Sequence, residues 1–117
     1  MKIKNLLMAG LMAVSVTGGA GAARAEGVRM FVRHEVADYG SWRKAFDGFA
    51  PTQKKMGVVF KAVYQSTENP NDVTVIHDFH SLAKAKEFAA SPDLKSTMEK
   101  AGVKDAPQIW YTTLKTK

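Results

Sequence analysis

Hydrophobic and polar residues alternate with a period of two over residues 28–36, VRMFVRHEV. Val28, Met30, Val32, His34 and Val36 share one face, and Arg29, Phe31, Arg33 and Glu35 share the other, the pattern of a half-buried strand. The period then lengthens. Tyr39, Trp42, Phe46 and Phe49 recur at spacings of three, four and three, so they form the apolar stripe of a helix that Asp38 is placed to cap. Pro51 interrupts this helix, and TQKKMG closes it with basic residues in the last turn and Gly57 as the stop. Residues 58–66, VVFKAVYQS, are expected to form a second strand, TENPND a turn, and residues 73–80 a third strand hairpinned to the second. Ser81 caps a second helix with Leu82, Ala85, Phe88 and Ala89 on its apolar face. Ser91-Pro92 restarts that helix, Leu94, Met98 and Ala101 extend the face, and Gly102 ends it. Residues 108–114, QIWYTTL, give the fourth strand.

The order β-α-β-β-α-β specifies an α+β, ferredoxin-like fold, one antiparallel four-stranded sheet with both helical segments on one face. Right-handed crossovers place strands one and three at the centre. The other face carries Phe31 and Ile76 among charged groups and has no cover within the chain. A sheet in that condition is covered by packing against a second copy, so a homodimer is expected. On the same face Asp78 is expected to pair with Arg33.

Composition changes this picture in three ways. Residues 1–25 have Lys2 and Lys4, an uncharged run from Asn5 to Ala23, and Ala23-Arg24-Ala25 as a small-x-small site, the layout of a cleaved signal peptide. Its strongly apolar part, Leu6 to Val16, is short for a bilayer span of about 30 Å, so no stable membrane insertion is expected after cleavage. The expected product is a periplasmic or secreted domain over residues 26–117. Removal of Lys2, Lys4 and Arg24 lowers the net charge from +6 to +3, with the remaining basic residues scattered, so nothing marks a nucleic-acid partner. There is no cysteine, which leaves packing and subunit association to stabilise the domain.

VRHEVADYGSWRKAFD, NPNDVTVIHDF and AKEFAASPDLKSTMEKAGV with PQIWY together resemble small proteins of the dimeric α/β-barrel superfamily. The nearest group is the antibiotic-biosynthesis-monooxygenase-like domains, including sequences labelled only as cyclases. The resemblance implies a homodimer with a ligand cavity between sheet and helices. It further implies cofactor-independent oxygenation or isomerisation of an apolar or aromatic substrate. Oxygenases of the group carry Asn-x-x-x-Trp on the third strand, whereas this chain has Val75 and Phe79 at those positions. The haem-degrading branch uses a helical histidine, and neither helix here contains one.

His77 and His34 are the candidate catalytic residues, because each is polar on an otherwise apolar strand face. Unperturbed histidine titrates near pH 6.5, which suits a base or a hydrogen-bond donor. The rest of the expected ligand site is Trp42 and Phe46 on the first helix, Tyr64 on strand two, and Val75 and Phe79 beside His77. His80 falls on the other face or at the strand end. Two histidines without a third ligand do not make a metal site, and no cofactor is expected. No nucleophile elbow or phosphate-binding loop is present. The sequence leaves two functions open: an enzyme on a small apolar or aromatic substrate, and a binding or structural module without turnover. Haem carriage is a lesser alternative.

Overall fold

The computed structural model describes residues 27–115, and the leader expected over residues 1–25 lies outside them. Within the described residues the elements are β1 (Val28–Glu35), α1 (Tyr39–Gly48), α2 (Ala50–Lys55), β2 (Phe60–Gln65), β3 (Asp72–Phe79), α3 (Leu82–Ala89), α4 (Pro92–Lys100) and β4 (Gln108–Thr113). The sheet order is β2-β3-β1-β4, with every pairing antiparallel. This is the ferredoxin-like arrangement, with β1 and β3 central as the crossover rule requires.

Local chemistry sets the element ends. The Asp38 carboxylate accepts from the Ser41 amide at 2.9 Å and starts α1. Pro51 lacks an amide proton, and its ring opposes a continuous helix, so the chain breaks at Phe49. Phe49 ends α1 and begins α2, whose first turn accommodates the proline. Ser81 caps α3 through Lys84, and Ser91 caps α4 through Asp93 and Leu94. Gly57 and Gly102 follow the second and fourth helices with φ of +102° and +88°, a conformation that disfavours other residues. Two expectations are corrected. Leu82 is exposed, because the inward stripe of α3 passes through Ala85 and Phe88. β2 begins at Phe60, two residues later than expected.

The layer between sheet and helices divides into two apolar groups. One gathers Met30, Phe49, Phe79, Ala85 and Phe88; the other gathers Val36, Trp42, Phe46, Val73 and Val75. The opposite face of the sheet has no cover among the described residues. Phe31 and Trp110 stack there with ring centroids 5.1 Å apart and planes within 1°. Ile76 pairs with Phe31 on one side and Ala62 on the other. Phe60, Tyr64 and Trp110 are exposed around them. Asp78 pairs with Arg29 at 2.8 and 2.9 Å rather than with Arg33, because the register sets Arg29 directly opposite. Arg33 instead makes a two-pronged pair with Asp72 at 3.0 and 2.7 Å.

Candidate functional site

Strand parity directs both candidate histidines under the helices. His34 on β1 and His77 on β3 are 6% and 4% exposed. They line one cavity of about 40 Å³ at the seam between the two apolar groups. Trp42, Phe46 and Val75 line it as expected from the sequence, and Phe49, Leu94 and Met98 complete its apolar wall. The cavity lies between the sheet and α1, α2 and α4, the last supplying Leu94, Thr97 and Met98. Its volume admits only a few water molecules. A ring-sized ligand therefore requires α4 or its side chains to move outward. The volume is far below the roughly 300–1,000 Å³ of pockets that enclose whole ligands, so a haem macrocycle requires a larger displacement than a single ring does.

Two expected wall residues are elsewhere. Tyr64 pairs with Thr74, so its side chain lies on the uncovered face with 56% exposure. The inner face of β2 belongs to Lys61 and Val63, opposite His77 and Val75. Phe79 is fully buried behind His77, packed on Phe88 with centroids 5.5 Å apart, and does not line the cavity. His80 is exposed next to the Ser81 cap. Among the described residues no group of three or more His, Cys, Asp or Glu is placed to hold a metal ion.

An aromatic series joins the two histidines. His34 meets Trp42 edge-on at 5.7 Å, Trp42 stacks on Phe46 at 5.0 Å, and Phe46 lies 6.3 Å from His77. The His77 ring also packs on Phe88 at 5.0 Å. Burial among these rings penalises the imidazolium form. It lowers the His77 pKa from 6.5 to about 4, with the Lys61 ammonium adding to the effect and Asp78 opposing it. His34 is also lowered, chiefly by burial. Both rings are therefore neutral at pH 7. Neither Nδ1 atom has a hydrogen-bond partner among the described residues.

Two residues of the site escaped sequence reasoning. Gln53 on α2 is 2% exposed, and its amide nitrogen lies 3.3 Å from His77 Nε2. Lys61 Nζ donates to Gln53 Oε1 at 2.7 Å and sits 5.2 Å from the Phe46 ring centroid, a cation–π contact. Gln53 was detectable, because it continues the series Trp42, Phe46, Phe49 at a spacing of four and is polar where the stripe is apolar.

Chemically, the site is an apolar enclosure with two neutral imidazoles and one buried amide. It suits orientation and hydrogen bonding of a mostly apolar molecule, and its lining among the described residues includes no carboxylate and, apart from the imidazoles and the Thr97 hydroxyl, no nucleophilic side chain.

No protein-family model matches the chain, and no curated protein matches it in sequence. Solved structures do match its fold. A conserved protein from Methanosarcina mazei Go1 aligns with a TM-score of 0.66 and 15% identity, over 81% of this chain and 99% of that one. A putative antibiotic biosynthesis monooxygenase from Bordetella bronchiseptica aligns at 0.68 and 14%, over 78% and 99%. SnoaB, a cofactor-independent oxygenase from Streptomyces nogalater, aligns at 0.66 and 14%, over 80% and 97%. The chain thus shares the fold of antibiotic-biosynthesis-monooxygenase-like structures, and at these identities the likeness concerns architecture.

Proposed function

We propose that this chain is an exported homodimer that binds a small, largely apolar aromatic molecule between its sheet and helices. The observation that carries the reading is the pair of buried histidines, each with an unpartnered Nδ1, lining one apolar cavity. Buried polar atoms without partners are rare and call for a reason, and a ligand oxygen supplies one. The cavity opens by displacement of α4, the wall that carries Leu94 and Met98.

Turnover, where it occurs, is cofactor-independent oxygenation. The fold shared with SnoaB supports this. Non-catalytic binding is the second reading, and a specific observation favours it. His77 keeps its Nε2 against Gln53 and has a pKa of about 4, so it is a poor proton acceptor at neutral pH.

The aromatic cluster on the uncovered face supports the homodimer. Phe31, Trp110 and Ile76 form its centre, and the Arg29–Asp78 and Arg33–Asp72 pairs flank it. The layout of residues 1–25 supports export, with Glu26 as the first mature residue. No helix among the described residues is long and apolar enough to cross a membrane.

The test is titration with 4-nitrophenol. Trp42 fluorescence is read in a Trp110→Phe background, which leaves one tryptophan. Saturable quenching, weakened in His77→Phe, supports the reading. A flat signal up to the solubility limit of the phenol removes it. Oxygen consumption with a quinol under air, present in the wild type and lost in His77→Phe, then separates an enzyme from a binder.

A further inference from the structure

Gln53 and Lys61 together constrain where the proton on His77 sits. A lysine ammonium only donates, so the Gln53 atom 2.7 Å from Lys61 Nζ is the amide oxygen. The other end of that amide is therefore its NH₂ group, which also only donates, and it faces His77 Nε2 at 3.3 Å. A neutral imidazole has one donor and one acceptor nitrogen. Nε2 must be the acceptor, and the proton resides on Nδ1. That Nδ1–H is buried and has no acceptor among the described residues.

We propose that Gln53 is a positioning residue. Pinned by Lys61, it holds His77 as the Nδ1–H tautomer, so the cavity presents a neutral hydrogen-bond donor to an acceptor oxygen of the ligand. The Lys61 charge, which acts on the His77 ring, favours an oxygen carrying negative charge, such as a phenolate. Three elements cooperate in this. The break at Phe49 starts α2 and brings Gln53 inward. Edge strand β2 turns Lys61 to the helix side, opposite His77. The Phe46 ring braces the ammonium. The statement about the ligand rests on the cavity being a binding site; the statement about the tautomer does not.

Two measurements read these separately. The first is long-range ¹H–¹⁵N correlation of histidine-labelled, ligand-free protein near pH 7, with the three histidines distinguished by His34→Asn and His80→Asn variants. Wild-type His77 shows a protonated Nδ1 and a bare Nε2. Gln53→Leu and Lys61→Met each introduce the Nε2–H form. Lys61 lies on an edge strand and is only half-buried, so Lys61→Met is the variant expected to fold without difficulty. A proton on Nε2 in the wild type overturns the proposal, and so does a tautomer unchanged in folded Lys61→Met. The second measurement is the visible-absorbance titration of bound 4-nitrophenol. The wild type favours the phenolate about tenfold over free solution, a one-unit fall in the phenol pKa, and Lys61→Met reduces that preference. Binding without any preference for the phenolate overturns the ligand half. Loss of binding altogether refutes the cavity reading and leaves the tautomer result standing.

Discussion

His34 and His77 stand on adjacent antiparallel strands four register positions apart, His34 opposite Val73 and His77 opposite Met30, yet both rings line the same cavity. Their surroundings differ in one respect. His77 receives the Gln53 amide, whereas His34 Nδ1 has no partner among the described residues and the His34 ring rests on Trp42. Removing one member of a buried hydrogen bond leaves the other unsatisfied, at about 1–3 kcal/mol. His77→Leu is therefore expected to lower stability by that amount at pH 7.5. His34→Leu removes an unpartnered polar nitrogen and is expected to be neutral or stabilising. Urea unfolding of both variants measures the difference. A His34→Leu protein less stable than His77→Leu contradicts this account of the site.

Stability is expected to fall as the pH drops from 6.5 toward 4. In that interval the unfolded chain protonates both histidines, while burial keeps His77 neutral in the native state until about pH 4. The unfolded state then binds more protons, so unfolding free energy decreases with decreasing pH. The whole effect for His77 is roughly 3 kcal/mol, and His34 acts in the same direction. Lys61 and Asp78 are the charged groups that bear on His77, with opposite signs. Asp38 and Asp72 are held below the usual carboxylate range and so lose their contributions at lower pH. In His77→Leu the slope between pH 6.5 and 4 flattens. An equal slope in wild type and variant would mean that His77 is not a buried neutral group.

Much of the architecture was legible because period and punctuation agreed. The alternation over residues 28–36, the capping residues Asp38, Ser81 and Ser91, and the stops at Gly57 and Gly102 act locally, and each appears where it was read. The placement of His34 and His77 followed from parity alone. What was illegible depended on register and on the helix break. Pairing Asp78 with Arg33 rather than Arg29 is an error of register, which alternation does not specify. Tyr64 reads as a cavity wall beside Phe60, but the pairing of β2 with β3 turns both rings to the uncovered face. Lys61 carries no inward signal in the sequence. Its inward direction shows only once β2 is paired with β3, where an inward charge also discourages edge-to-edge association.

The uncovered face predicts its own disruption. Ile76 is 6% exposed at the middle of that face, between Phe31 and Ala62. Ile76→Lys places an ammonium among apolar side chains in any copy that stacks there, a charge left buried without a partner. Sedimentation is expected to show a dimeric wild type and a monomeric variant with unchanged far-ultraviolet circular dichroism. A monomeric wild type at micromolar concentration ends the homodimer proposal.

Widening the cavity should exchange stability for binding. Leu94 is 7% exposed, belongs to the apolar group around Phe88, and forms part of the α4 wall. Leu94→Ala removes methyl groups from a site that relaxes only partly, at about 2–5 kcal/mol. The same truncation enlarges a cavity that otherwise holds about 40 Å³, so less outward movement of α4 is needed to admit a ring. The cost of that movement is subtracted from the intrinsic affinity, and removing it raises the apparent affinity. Leu94→Ala is thus expected to melt at lower temperature and to bind 4-nitrophenol more tightly, the two read by thermal unfolding and Trp42 quenching. Phe88→Ala is the control, because Phe88 is fully buried against Phe79 and His77 but lies outside the cavity wall. Its expected loss of about 3–5 kcal/mol comes with no gain in affinity. Equal gains from both substitutions would show that general loosening, rather than space beneath α4, controls access.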